Sequence, residues 1–300
     1  MRPSADDLDA TNRSATNRSG TAPVPARTSR AVRVAACAVA LSLAAACSGG
    51  SADGAAPGRS TVASTTAPAP APRVPGATWE EAAPADLGLD GAALDRIAAT
   101  AAAGNSHCLA VARDGRLGGE WYFAGTDPDT TQDIFSATKS ITSTLVGIAQ
   151  DDGDLDIDRP ASTWIPEWRG TPSESVTVRD LLSNDSGREW SVVIDYVQLL
   201  RSPDRSGFAV GLGQDEPPGQ VWAYNNSAIQ TLQRVLQAAT GQDVATFART
   251  RLFEPLGMDH TEMAVDAKGQ AQMFEGVRSN CRDLARFGVL MLDHGRWSDR

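Results

Sequence analysis

A break in composition near residue 77 confines any fold to the residues that follow it. Residues 48–76 are dominated by Ser, Gly, Ala, Thr and Pro and finish as Pro-Ala-Pro-Ala-Pro-Arg-Val-Pro-Gly. Such a stretch buries too little apolar surface to offset the entropy of ordering it, so 47–77 is expected to be a disordered tether. Ahead of it, 1–30 is polar and carries the tandem TNRSATNRS. Arg30 and Arg33 then precede an apolar run at 34–46 that ends in Leu43-Ala44-Ala45-Ala46 before Cys47. A basic flank, a short apolar run and small residues before a cut site read as a secretory signal over 1–46. The run is short for a permanent membrane span. A cysteine behind the small residues predicts a lipoprotein, cut before Cys47 and acylated on its sulfur. Cys37 follows Val34-Ala35-Ala36 but lacks an apolar run of its own, and plain secretory cleavage is the alternative. The chain is therefore expected at the outer face of the cell membrane through a lipid anchor, or secreted if not acylated.

Removing 1–46, which carries six arginines and three acids, takes the net charge from −10 to −13. That acidity argues against a nucleic-acid partner. Nothing in the composition fixes an oligomeric state. Cys108 and Cys281 remain in the exported part, where a bridge and two buried thiols are both compatible with the sequence.

Positive charge is supplied by 25 arginines and only two lysines, and one lysine, Lys139, stands three residues after Ser136. A guanidinium stays protonated at any working pH, whereas an amine can lose its proton when desolvated or set near another cation. A neutral amine beside a serine hydroxyl can take its proton and make it a nucleophile. Ser136 opens an apolar stretch with Ile141, Leu145 and Ile148 at helical spacing, so Lys139 lies on the same side one turn on. A helix start also offers unpaired N–H groups and a dipole that favours negative charge.

Around this pair the spacing predicts a helix over 90–103, with Leu94, Ile97 and Ala101 inward and Gly104 closing it. Strands at 108–113 and 119–123 are joined by Asp114-Gly115, a tight hairpin turn. Thr177-Val178-Arg179-Asp180 is a capping-box start. Further helices are predicted over 226–239, 243–252 and 280–292, the last with Leu284, Phe287 and Met291 on one face. Strand signals are scarce after the first hairpin. The three histidines form no Ser-His-Asp arrangement, there is no G-x-S-x-G elbow, and no Cys/His spacing suits a metal. Structural roles are expected for them, and no cofactor or metal is implied.

The ordered segments carry more than any single motif. Phe135-Ser136-Ala137-Thr138-Lys139-Ser140 is followed by Gly153-Asp154-Leu155-Asp156-Ile157-Asp158-Arg159-Pro160 and by Val178-Arg179-Asp180-Leu181-Leu182-Ser183-Asn184-Asp185-Ser186-Gly187. Then come Pro217-Pro218-Gly219, Tyr224-Asn225-Asn226, Pro255-Leu256-Gly257-Met258 and Arg282-Asp283-Leu284-Ala285-Arg286-Phe287-Gly288. Over 78–300 this resembles the serine β-lactamase-like hydrolases: class C β-lactamases, D-alanyl-D-alanine carboxypeptidases, esterases and aminohexanoate-oligomer hydrolases. Glu120-Trp121-Tyr122-Phe123 and the segment from Cys281 to Gly288 are most similar to the last two groups.

The resemblance implies an α+β, β-lactamase/transpeptidase-like fold, an antiparallel sheet flanked by helices with a mostly helical subdomain. It implies Ser136 as acyl-enzyme nucleophile, Lys139 as base or proton relay, and Tyr224 as the phenol that shares the proton and serves the leaving group. Asn226 is expected to orient lysine and substrate, Tyr196 to close over substrate, and the Ser136 N–H to form half of an oxyanion hole. The family's third motif, K-T-G or H-x-G, is absent from the 300 residues, so the sheet's C-terminal strands are expected to be missing. The substrate expected is a small or peptide-like ester, amide or β-lactam. The competing expectation is a penicillin-binding or sensing lipoprotein of the same fold with little turnover.

Overall fold

A computed structural model describes residues 74–298. The signal region 1–46, Cys47 and nearly all of the 47–77 tether lie outside the described residues. Strand β1 (Glu80–Glu81) and helix α1 (Gly91–Ala103) lead into the hairpin of β2 (Cys108–Arg113) and β3 (Arg116–Tyr122). Asp114 and Gly115 both adopt positive φ, the geometry a two-residue turn needs to match strand twist. β2 and β3 pair antiparallel, whereas β1 joins the other edge of β3 in parallel. The sheet order is β1-β3-β2.

After β4 (Gln132–Asp133) come α2 (Thr138–Asp151), α3 (Val178–Ser183), α4 (Leu199–Arg201), α5 (Arg205–Gly211) and α6 (Asn226–Thr240). α7 (Val244–Ala248) continues through a π-helical turn into α8 (Glu254–Leu256). β5 (Glu262–Met263), β6 (Val277–Ser279) and α9 (Cys281–Leu292) complete the order. β4, β6 and β5 form a second, antiparallel sheet. Strands of two or three residues have no readable alternation, so this sheet leaves no signal in the sequence.

The core gathers on α2 and α6, where Ile141, Leu145, Leu232 and Leu236 are buried with Trp168, Phe247, Phe253 and Phe274. Several helices start where a side chain accepts an orphan backbone N–H, whereas α2 has no such cap. Asp90 caps α1, Thr177 forms a reciprocal capping box with Asp180 on α3, Asn225 caps α6 and Asn280 caps α9.

Two inward faces differ from the spacing. On α1, Leu94 and Ala98 are buried while Ile97 is half exposed, because an i, i+4 pair ending in a small residue makes the contact. On α9, Met291 is exposed and the buried face includes Asp283 and Arg286 beside Phe287 and Leu290. Polar bonds turn that helix. Asp283 Oδ2 accepts the His260 N–H and the Thr261 hydroxyl, both at 2.8 Å, and Arg286 donates to the Leu256, Gly76 and Ala77 carbonyls.

Cys108 and Cys281 are bonded in the structure, with Cα atoms 6.3 Å apart. Next to them Arg282 grips Glu120 with a two-pronged bond, its Nε 2.9 Å from Oε2. The Glu-Trp-Tyr-Phe and Cys-Arg-Asp segments thus form one latch between the hairpin and α9.

Candidate active site

Ser136 lies in a 3₁₀ turn, Phe135–Ala137, immediately ahead of α2. Phe135 has φ of 45°, a region bulky side chains rarely adopt, so the approach to the serine is a strained bend. The bend is anchored on both sides. Ile134 donates to the Val277 carbonyl at 3.0 Å, and the Thr138 hydroxyl accepts the Val277 N–H at 3.1 Å. Ser136 is exposed, and in the first turn its N–H has no intrahelical acceptor.

One turn on, Lys139 Nζ donates to Ser136 Oγ at 3.1 Å and to the Phe274 carbonyl at 3.2 Å. It also sits 4.7 Å from the centre of the Tyr224 ring. The Phe274 carbonyl is held by its neighbours. Buried Gln230 accepts the Met273 N–H at 3.0 Å and donates to the Ala271 carbonyl at 2.9 Å, while Thr142 donates to the Met273 carbonyl at 2.6 Å. Spacing alone could not reveal this partner, because a backbone carbonyl has no sequence signature.

Tyr224 arrives on an extended segment before α6. Asn184, left-handed at φ 59° at the end of α3, accepts the Ala223 N–H on its carbonyl at 2.8 Å and the Asn225 N–H on Oδ1 at 3.2 Å. The residues before and after Tyr224 are therefore both hydrogen-bonded to one residue. Burial works to raise the Tyr224 phenol's pKa. Contacts with Ser136 and Lys139, and the lysine's charge, outweigh that and leave it below the ordinary tyrosine value.

Asp195 is fully buried and accepts four bonds. Oδ2 takes the Asn226 N–H at 2.7 Å and Trp190 Nε1 at 3.1 Å; Oδ1 takes the Ser227 N–H at 3.1 Å and its hydroxyl at 2.6 Å. A carboxylate suits this first turn, where N–H groups are unpaired and the helix dipole is positive. Neither Asp195 nor Asn184 stands out in the sequence as a site residue. Only Asn at a helix end hints at a left-handed cap.

The structure brings Ser136, Lys139 and Tyr224 together. Asn226 lies two residues after Tyr224, and its side-chain oxygen is buried without a hydrogen-bond partner. Tyr196 lies on the π-helical turn Ile194–Gln198, half exposed. Among the described residues no polar or ring contact joins Tyr196 to the serine, lysine or Tyr224. His260 faces Asp129, with Nε2 3.6 Å from the carboxylate.

The chain is 27% identical over 202 residues to a 6-aminohexanoate-dimer hydrolase of Paenarthrobacter ureafaciens, covering 62% of this chain and 51% of that protein. It is 32% identical over 146 residues to penicillin-binding protein 4 of Amycolatopsis lactamdurans, covering 45% and 37%. The chain thus spans about half or less of these relatives' length. Among solved structures, a class C β-lactamase from Rhodobacter sphaeroides superimposes with a TM-score of 0.53 at 21% identity, covering 70% of this chain and 68% of that one. An octameric penicillin-binding protein homologue from Pyrococcus abyssi gives 0.57 at 19%, covering 69% and 57%. These likenesses establish the fold. Residues 77–299, nearly the whole described part, match the family model described as Beta-lactamase, and the chain belongs to that family.

Proposed function

We propose that the protein is a serine hydrolase that forms an acyl-enzyme at Ser136 on an ester, amide or β-lactam. The observation that carries the reading is the shared contact of Lys139 Nζ with Ser136 Oγ and the Tyr224 ring. Ser136 Oγ attacks the carbonyl carbon as its proton passes to the lysine–tyrosine pair. The Ser136 N–H faces the developing oxyanion. The same pair returns the proton to the leaving group as the scissile bond breaks, and water then hydrolyses the acyl-serine by the reverse relay. The lysine's acceptors, a serine hydroxyl and a backbone carbonyl, are both uncharged. The buried oxygen of Asn226 has no hydrogen-bond partner, and a role in orienting the lysine would use its lone pair. The leader and Cys47 support an exported, membrane-anchored setting for this chemistry.

The test mixes the full-length protein with a reporter ester, a chromogenic cephalosporin and a tagged penicillin. A burst of acylation that disappears in Ser136→Ala is expected. Turnover indifferent to that change would sink the assignment. Lys139→Arg is expected to lose about 10²-fold or more in kcat, because a guanidinium does not accept the proton.

A further inference from the structure

The exposed Phe, Trp and Tyr side chains among the described residues fall in three segments: Phe135 beside the serine, Trp190 with Tyr196, and Trp222 with Tyr224. Phe135 directly precedes Ser136 and is 66% exposed. Trp222, also 66% exposed, places its ring centre 6.5 Å from that of Tyr224. Trp190 donates its ring N–H to Asp195 Oδ2, the same oxygen that takes the Asn226 N–H two residues beyond Tyr224. Tyr196 is the next residue after Asp195. Val192, Val193, Val197 and Val221, in these same segments, are exposed as well.

Single exposed apolar residues such as Ile97, Val265 and Leu292 need no explanation, but Phe135, Trp222 and Tyr224 gathered beside one serine do. Two of the rings are held in place. Phe135 is turned outward by a strained backbone, and Trp190 is tied through its N–H to a buried carboxylate. The border of this surface is acidic. Asp215 Oδ2 accepts the Trp190 N–H at 3.3 Å, and Glu189 Oε2 accepts the Gly213 N–H at 2.8 Å.

On the reading of Ser136 as nucleophile, we infer that the substrate is an uncharged ester or amide with an aryl or extended alkyl acyl group. That acyl group lies against Trp222 and the neighbouring rings. The acyl half stays on Ser136 after the leaving group departs, so it is the half that rings beside the serine hold through both steps. Aromatic faces take alkyl chains and rings alike, which leaves chain shape loosely specified and charge strongly so. An anionic acyl chain would have to shed its hydration to lie against these rings and is disfavoured.

The experiment compares kcat/KM for the p-nitrophenyl esters of acetate, benzoate, octanoate and succinate, using the full-length protein and its Trp222→Ala and Trp222→Phe variants. Octanoate and benzoate are expected to exceed acetate by about tenfold or more, mainly through KM, with succinate below acetate. The octanoate-to-acetate ratio within each variant is expected to collapse in Trp222→Ala and to persist in Trp222→Phe. A flat acyl series, or a ratio unchanged in Trp222→Ala, overturns the proposal. So does Trp222-dependent binding to phosphatidylcholine vesicles with a flat acyl series, which would assign the surface to lipid. The two readings fail separately. Acetate hydrolysis that needs Ser136 beside a flat series defeats only the substrate class, whereas hydrolysis surviving Ser136→Ala defeats the nucleophile.

Discussion

Asn184 brackets Tyr224, its carbonyl and side-chain oxygen accepting the N–H groups of the residues before and after the tyrosine. This couples the end of α3 to the phenol. Asn184→Gly keeps the left-handed turn and removes one acceptor, whereas Asn184→Ala also adds a conformational cost of about 1–2 kcal/mol. Kinetics with a reporter ester are expected to show kcat lowered in both variants, and thermal melting to show Asn184→Ala less stable than Asn184→Gly. Unchanged kcat in both would mean that the tyrosine finds its place without the bracket.

The phenols are expected to titrate in a set order. Tyr224 lies below the ordinary value, while burial and then Glu120 push Tyr122 up to about 12. Ultraviolet phenolate absorbance, assigned with Tyr224→Phe, should show Tyr224 ionising before Tyr122. In Lys139→Met the phenol loses a neighbouring charge while its burial remains, so its pKa rises. A Tyr224 step that stays put in that variant contradicts the contact.

Asp195 joins the Trp190–Tyr196 segment to the first turn of α6. Asp195→Ala leaves the Asn226 and Ser227 N–H groups buried without acceptors, at about 1–3 kcal/mol for each such group. Chemical unfolding should show a loss of that order, and the residual activity should fall through kcat as Tyr224 loosens. Asp195→Asn, which keeps an acceptor, should recover part of both.

Glu120 carries a pH dependence of known sign. The Arg282 bond holds its carboxyl below the usual carboxylate range, against burial, which works to raise it. The pair's contribution is therefore fully present above the unfolded pKa, about 4.3, and is lost as pH falls through the depressed folded value. Melting temperature followed through mild acid should fall more steeply in the parent than in Glu120→Gln, which lacks that titration. Equal slopes would remove the pair from the acid response.

A bridge between Cys108 and Cys281 spans 173 residues of sequence. Restricting a loop of that length in the unfolded chain contributes up to about 5 kcal/mol. Cys108 and Cys281 should label with a thiol reagent only after reduction of the unfolded protein, and reduction should lower the melting temperature. Labelling of Cys108 and Cys281 without reductant would rule the bridge out.

Much of the fold is legible in the residues themselves, for reasons that differ by element. The hairpin shows in Asp114-Gly115, α3 in its capping box, and α2 and α6 in apolar periodicity longer than a turn. The serine–lysine pair is legible because residues three apart on a helix are neighbours. Tyr224 emerges from the ordered segments, not from its surroundings. What stays hidden is bonded through backbone or across long separations. Asn184 works through φ and a carbonyl, Asp195 through four donors that no spacing announces, and Phe274 through an oxygen every residue has. Ile97 and Met291 fall outside the buried faces that spacing gives them, because periodicity defines a stripe and leaves its rotation to neighbours.

The lysine's second acceptor lies 135 residues downstream, on a loop gripped by Gln230 and Thr142. During synthesis, a chain that has emerged past Tyr224 already holds the serine and the amine on one nascent helix. It still lacks the peptide that fixes the amine's position. Contacts of such sequence separation close late, once the intervening chain has packed. On the reading of Ser136 as nucleophile, reactivity would be tied to finished folding, and a half-made or partly unfolded chain would keep its serine unarmed.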